Sequence, residues 1–456
     1  MTTSVIVLAA GKGTRMNSAL PKVLQPLGGQ PLLAHVLATA RALSPQAIHV
    51  VAGHGMAAVR AACPGDDLHW IEQTEQRGTG HAVAQALPHV AKGTALILYG
   101  DVPLVPPRTL AALRDAAGDG IALLVMQAAD PTGYGRILRD AAGRVRGIVE
   151  ERDATPAERS VREVNTGLMA APVALLRRYL PQVQPRNAQG EHYLTDVVAL
   201  AAADGAPVQA VAAQDPDDAL GINDRVQLAF AERTLQRRRA EALLRAGVTL
   251  ADPARLDVRG ELLCGRDVFI DVNAVFEGRV VLGDGVRIGP NAVLRNCALG
   301  AGVEVLAFSH LDGARVGDRA RIGPYARLRP GAELACETHI GNFVEVKQAT
   351  VGRGSKVNHL SYIGDAEIGE RVNVGAGTIT CNYDGVHKHR TVIADDAFIG
   401  SGSELVAPVT VGEGATVGAG TTLRKDAPAH QLTVGGGRQV SLPHWRRPAP
   451  KDRDSG

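Results

Sequence analysis

The C-terminal half of the chain carries its most restrictive feature: aliphatic residues recur there every six positions. Ile270, Phe276, Leu282, Ile288 and Leu294 are spaced by six, and after one five-residue step come Leu299, Val305 and Leu311. Another such step leads to Val316, Ile322, Leu328, Leu334, Ile340 and Val346, then Val351, Val357 and Ile363, then Ile368 and Val374. Ile393, Ile399, Leu405, Val411, Val417 and Leu423 close the series in strict phase. Neither a helical period of 3.6 nor strand alternation produces this spacing; a six-residue repeat is the mark of a parallel β-helix. Each hexad forms one short flat side and turns its aliphatic residue into a continuous core. The next residue is often glycine, at Gly283, Gly289, Gly323, Gly364, Gly400 and Gly412, and is expected to take positive φ at a tight corner. Such a coil suits an oligomerisation scaffold as well as an enzyme, so individual residues must decide.

Composition excludes several classes of function. Lys plus Arg number 49 against 47 Asp plus Glu, a net charge of +2, so no basic field argues for nucleic acid. The five cysteines (Cys63, Cys264, Cys297, Cys336, Cys381) are odd in number and lack CxxC spacing, which fits reduced thiols rather than disulfides or a zinc site. The opening MTTSVIVLAAGKG is too short an apolar run for a signal peptide, and no stretch is apolar for long enough to span a membrane. A soluble cytoplasmic protein is expected. At 456 residues it has room for two domains or more.

Residues 1 to about 225 read as a Rossmann-like α/β domain. The apolar run from Ser4 to Ala10 leads into Gly11-Lys12-Gly13-Thr14-Arg15-Met16. Further apolar runs, from Ala47, Thr94 and Ile121, alternate with amphipathic segments, a doubly wound pattern whose ligand crevice lies at the carboxyl ends of the strands. The glycine loop is not a Walker A sequence, and Met16 stands where G-x-G-x-x-G needs its third glycine. A ligand-free turn is one reading. Lys12, Arg15 and Lys22, clustered around two glycines, favour a phosphate cradle. Asp101 follows the strand ending in Tyr99-Gly100, which puts its carboxylate at a strand's carboxyl end, although a turn-forming Asp is the plain alternative. One carboxylate plus substrate phosphates is a ligand set that suits Mg2+.

Leu8-Ala9-Ala10-Gly11-Lys12-Gly13-Thr14-Arg15-Met16, with Pro21-Lys22-Val23-Leu24, resembles the sugar-nucleotide pyrophosphorylase family. Together with the hexad array, nearly the whole chain resembles the bifunctional bacterial family of glucosamine-1-phosphate acetyltransferases and N-acetylglucosamine-1-phosphate uridylyltransferases. The resemblance implies a nucleotidyltransferase domain, a linker helix, and a left-handed β-helix that trimerises and binds acetyl-CoA between subunits. It implies Mg2+ held by Asp101 and by Asn223 of LGINDR; read unaided, Asn223 is a helix cap before Arg225. It places UTP and the sugar against Leu8 to Gly13, Gln73, Gly78, Thr79, Tyr99, Gly100, Gly135, Glu150 and Asn165, with Lys22 on the sugar-phosphate side. Glu150 and Asn165 have the chemistry to read sugar hydroxyls and an acetamido group, while Glu151 departs from the family's usual residue. The reaction implied is in-line attack of a sugar 1-phosphate on the α-phosphorus of UTP, with Arg15 and Lys22 stabilising the phosphates.

From 226 to 246 the chain is rich in helix formers and free of Gly and Pro, and reads as the linker helix, its Arg237-Arg238-Arg239 run a solvated face. In the 247–456 domain, polar residues stand out because the repeat does not need them. Arg329 and Lys347 are candidate phosphate clamps, and His359 is the candidate base, against the plain reading of a surface imidazole. Tyr362 and Asn373 keep it company, and residues 380–390 break the hexad phase, as loops on a binding face do. By resemblance, Arg329, Lys347, Tyr362 and Asn373 hold glucosamine 1-phosphate, and Ala376, Asn382, Tyr383, Ser401, Ala419 and Arg438 contact acetyl-CoA. The basic end, with Trp445-Arg446-Arg447, reads as a solvated tail that in the family helps to cover a neighbour's site. Two alternatives remain: a monofunctional nucleotidyltransferase with a β-helix scaffold, and a non-catalytic regulatory subunit.

Overall fold

Thr3–Leu8 is buried at every position and apolar from Val5 to Leu8 because both its faces are covered in the structure, a computed structural model that describes residues 2–11, 13–53 and 55–436. Val5 and Val7 point into one core layer, Ile6 and Leu8 into the other. Thr3–Leu8 pairs in parallel with Ala47–Ala52 and Thr94–Tyr99. The sheet order is Val208–Ala212, Ile121–Gln127, Glu163–Pro172, Thr94–Tyr99, Thr3–Leu8, Ala47–Ala52, Leu68–Glu72, with Glu163–Pro172 antiparallel to both its neighbours. The carboxyl ends of Thr3–Leu8, Ala47–Ala52 and Thr94–Tyr99 therefore open along one rim, where the glycine loop, Gly53 and Asp101 lie.

The chain divides into two compact units, Met1–Ala242 with Val258–Gly260, and Leu243–Asp257 with Glu261–Gly456. Most of the helix Arg225–Arg245 belongs to the first, where Leu228, Ala231 and Leu235 pack on Met16, Leu27, Leu32, Leu104 and Ile222. Its arginine run is largely spent on that packing, which corrects the expectation of a solvated face. Arg238 pairs with the buried Asp218 at 2.7 Å, and Arg239 donates to the carbonyl oxygens of Val258 and Gly28. Only Arg237 stays mostly in solvent.

In the second unit, parallel strands from Ile270 to Val374 stack residues 17 or 18 apart, as in Ile288 on Val305 and Ile322 on Ile340. That is three hexads per turn, shortened by one wherever a five-residue step occurs. The inward aliphatic residues are buried from Ile270 to Leu423, and the family expectation of a left-handed parallel β-helix of hexapeptide repeats holds. The glycines after the aliphatic positions act differently from the expectation. Gly283, Gly289, Gly364, Gly400 and Gly412 are not in the left-handed region; Gly323 is. They are needed for close approach: a Cβ on Gly283 would lie 2.8 Å from the Ala301 backbone nitrogen on the next coil. Positive φ falls two residues later, at corner positions such as Gly285 and Asn291.

Candidate active sites

The glycine loop is shaped for what lies beneath it. Gly13 takes φ 61°, and a Cβ there would come within 2.5 Å of Lys22 Cβ, so loop and lysine stem pack backbone to side chain. Lys22 Nζ donates to Asp101 Oδ2 and, at 3.1 Å, to Asn223 Oδ1. Three residues 79 and 201 positions apart in sequence meet at one point. Asp101 is carried there by the end of Thr94–Tyr99, and its carbonyl accepts from Ile222 N at 2.9 Å, tying the Gly221-Ile222-Asn223 segment to the rim. Asn223 is not the helix cap. Asp224 takes that part, accepting from Gln227 N at 2.8 Å, which leaves the Asn223 amide to face the cluster.

The two oxygens converging on the Lys22 ammonium form a cation seat, with that ammonium as the stand-in. A hard divalent cation accepts such a donor set, one carboxylate and one amide carbonyl, with waters and phosphate oxygens filling the rest. Arg15 is exposed on the turn Thr14–Met16, and Lys12 lies outside the described residues.

The rest of the rim is ordered by hydrogen bonds. Gln73 is buried, its Nε2 donating to Gly78 O at 3.2 Å and lying 3.0 Å from His81 Nδ1. Gly78 takes φ 103° against His192, and Thr79 Oγ1 accepts from Leu194 N at 3.0 Å. Gln76, which the sequence reading passed over, donates to Ala10 O at 2.6 Å and pins the loop. Across the sheet Gly135 pairs with Asn165, and a Cβ on Gly135 would lie 3.3 Å from Glu150 Oε2, so these three expected sugar contacts adjoin. Burial raises the Glu150 carboxyl above its usual range, opposed by the Thr195 hydroxyl donating at 3.1 Å. Burial and then the Glu150 charge raise the Tyr99 hydroxyl, keeping it protonated. Glu151 is neutralised locally by Arg136, 1% exposed, at 2.5 Å.

In the β-helix a second cluster gathers on neighbouring coils. His359 lies in register with Asn342, and its Nδ1 donates to Asn342 Oδ1 at 2.8 Å. That contact leaves the Nε2 lone pair free. Arg329 pairs with Glu345 at 2.8 Å, and Tyr362 is in register with Glu345. Lys347 lies 3.8 Å from Asp365, which also accepts from Asn382 Nδ2. The inserted hairpin carries Lys388 opposite Tyr383, and the Lys347 side chain, by its competing N–H donors and then its charge, holds the Lys388 ammonium below its usual range. Sequence reading missed Lys388; the break in hexad phase was the available signal. Asn373 lies on the next coil beside Lys356, and Tyr383 is exposed on the hairpin. Ala376, Ser401 and Ala419 stack along one edge, Gly402 N donating to Ala376 O and Gly420 N to Ser401 O. Arg438 and the basic tail lie outside the described residues.

Comparison with known proteins agrees with this two-part architecture. The family described as MobA-like NTP transferase domain matches residues 5–183. The family described as bacterial transferase hexapeptide (six repeats) matches 263–296 and 390–425. The chain is 59% identical over 446 residues to the bifunctional protein GlmU of Azoarcus sp. (strain BH72), covering 97% of this chain and 99% of the relative. It is 59% identical over 454 residues to that of Bordetella parapertussis, covering 98% and 99%, and 58% identical over 455 residues to that of Alkalilimnicola ehrlichii, covering 99% and 98%. With identity at this level along nearly the whole of each chain, the protein belongs to the bifunctional GlmU family.

Proposed function

We propose that the protein is a two-site enzyme of UDP-N-acetylglucosamine synthesis. One site moves the acetyl group of acetyl-CoA to glucosamine 1-phosphate; the other joins N-acetylglucosamine 1-phosphate to the uridylyl group of UTP and releases pyrophosphate. The observation that carries the reading is the polar cluster on the β-helix. A coil that needs only inward aliphatic residues holds an imidazole with a free Nε2, and neighbouring coils and the inserted hairpin carry Arg329, Lys347 and Lys388. A scaffold has no use for it.

At this site the sugar's amino group attacks the thioester carbonyl, an amide forms, and coenzyme A leaves as the thiol. His359 Nε2 takes the proton as the C–N bond forms, while Asn342 fixes the ring and tautomer. Arg329, Lys347 and Lys388 hold the phosphate, with Tyr362 and Asn373 lining the sugar; Ala376, Asn382, Tyr383, Ser401 and Ala419 receive acetyl-CoA.

At the nucleotidyl site the 1-phosphate oxygen attacks the α-phosphorus in line. Catalysis there rests on positioning and charge neutralisation. Lys22 and Arg15 neutralise phosphate oxygens, the glycine loop offers backbone N–H groups, and the Gln73 and Gly78–Thr79 segment receives uridine. Gly135, Glu150 and Asn165 orient the sugar. Asp101 and Asn223 would hold Mg2+, which when bound adds positive charge at the phosphates.

The β-helix also supports a homotrimer. Its three corners differ: one is charged or glycine, as in Arg319, Glu337 and Arg371, and one carries Gly, Asn, Gln and Asp. The third runs Asn273, Asn291, Phe308, Tyr325, Phe343, Leu360 and then Gly377, Gly402 and Gly420, all at positive φ. Phe308, Tyr325 and Phe343 stack with centroids 4.9 and 5.4 Å apart, yet remain 49%, 48% and 56% exposed, and Leu360 is 63% exposed. Bulky residues held in an unfavourable conformation and left in water are accounted for by a second copy of the same repeat covering them. The unpaired cysteines, and the lack of any described helix apolar enough to cross a membrane, suit the cytoplasm.

The test is thiol release from acetyl-CoA with glucosamine 1-phosphate and no UTP, beside pyrophosphate release from UTP with N-acetylglucosamine 1-phosphate. Wild type should perform both, and His359→Ala only the second. A folded wild-type enzyme that releases no thiol would refute the acetyl-transfer reading and leave the β-helix as a scaffold.

A further inference from the structure

Where the coils that precede it from Ile270 onward repeat after 17 or 18 residues, the coil after Ile368 repeats after 25, Ile368 pairing with Ile393 and Val374 with Ile399. The extra residues form a hairpin, with Tyr383 bridged to Lys388 and His389 N donating to Asn382 O at 2.8 Å. One carboxylate ties it. Asp384 accepts from Val386 N at 2.8 Å and His387 N at 2.6 Å across the turn, and from His389 Nε2 at 2.7 Å on the return strand. These donors lower the Asp384 carboxyl to about 2, the two backbone groups and the imidazole acting together. His387 also lies 3.9 Å from Asp384, but more exposed than His389. Lys388 sits between the two histidines and bridges Tyr383, next to Asn382. Asn382 and Lys347 both reach Asp365 on the coil, so the hairpin carries the Lys388 ammonium toward the Lys347–Asp365 pair, whose charges it feels. Two ammonium groups brought together over one carboxylate, itself engaged by Asn382, make a seat for a further anion.

We propose that His389 is a positioning residue for acetyl transfer: its hydrogen bond to Asp384 clasps the hairpin and holds Lys388 beside Lys347, so that both lysines receive the phosphate of the sugar. The inference rests on the acetyl-transfer reading above and adds to it a residue that touches no substrate. A lysine on an untied loop spends binding energy on ordering itself, which appears as weaker capture of the phosphate with little change in the chemical step.

The experiment measures thiol release by the full-length enzyme for wild type, His389→Phe, His389→Gln, Lys388→Met and the double variant His389→Phe/Lys388→Met. In His389→Phe the KM for glucosamine 1-phosphate should rise roughly five- to ten-fold, with kcat and the KM for acetyl-CoA within about two-fold. His389→Gln keeps an N–H donor for Asp384 and should restore most of the loss. In the Lys388→Met background His389→Phe should add nothing, because its effect runs through that lysine. An unchanged KM in His389→Phe, or an equal rise with and without Lys388, would overturn the clasp while leaving the enzyme's function intact. Absence of thiol release from wild type would overturn the parent reading, and the clasp with it.

Discussion

Replacing Tyr325 with Asn separates the needs of the coil from those of the assembly. In an isolated coil the change should cost only about 2 kcal/mol. Tyr325 sits at φ 54°, a conformation that costs an ordinary L-residue about 1–2 kcal/mol and costs Asn much less. Against that relief stands the loss of two ring contacts, to Phe308 and Phe343, each worth about 0.5–1.5 kcal/mol. Those two effects roughly cancel, and the half of the side chain already buried in the coil adds a loss of about 2 kcal/mol. In a trimer the balance changes. An aromatic ring has about 200 Å2 to bury, and the 48% of Tyr325 still exposed corresponds to about 100 Å2, or about 2.5 kcal/mol once covered. A closed ring of three copies has three such seams, so the loss reaches about 7 kcal/mol, about five orders of magnitude in the association constant. Sedimentation velocity over a dilution series reads the assembly, and urea unfolding reads the coil. Tyr325→Asn should dissociate at concentrations where wild type stays assembled, with its coil still folded and less stable by only about 2 kcal/mol. Acetyl transfer should fall on dilution, while uridylyl transfer persists. A variant that assembles like wild type would refute the seam; one that dissociates only because its coil has unfolded would refute the energy balance.

Two further outcomes follow from the first unit. Gly13→Ala forces a Cβ against Lys22 and strains a backbone at φ 61°, so uridylyl transfer should fall at least about ten-fold while acetyl transfer stays near wild type, read by the two release assays. His49, 3% exposed, has neither ring nitrogen hydrogen-bonded, and burial, with help from His69 and His89, lowers it to about 4 from the ordinary 6.5. A histidine whose folded pKa is depressed lets the unfolded chain take up the proton first. Stability is therefore full above about pH 6.5, falls as the pH drops toward 4, and is about 2 kcal/mol lower by pH 5. His49→Phe keeps a ring beside His69 and should flatten that slope in urea unfolding at pH 7.5 and pH 5; an unchanged slope would show that His49 does not carry it.

The parts legible in the sequence were those with a short repeat. The six-residue period set which residue of each hexad faces inward from Ile270 to Leu423, because a flat side of fixed length leaves no other register. The phase break after Val374 located the inserted hairpin, and the apolar run Thr94–Tyr99 placed Asp101 at a strand end. Local chemistry was less reliable wherever the partner is distant. The glycines after the aliphatic positions read as corner residues, but most serve the approach of the next coil, a contact 17 or 18 residues away. Arg237-Arg238-Arg239 read as solvent-facing because composition does not show that Asp218 and the Val258 carbonyl lie against the helix.

By itself, then, the sequence determined the two-part organisation, the coil and the strand ends on which each site is mounted, all products of periodicity within a few residues. Tertiary structure decided the rest. It brought Lys22 to Asp101 and Asn223, opposed Glu151 with a buried arginine, carried Lys388 toward Lys347, and lined one corner with exposed rings. The physical reason is range: hydrophobic period is set by neighbours along the chain, whereas charge pairing, desolvation and corner strain depend on groups that only the folded chain makes adjacent.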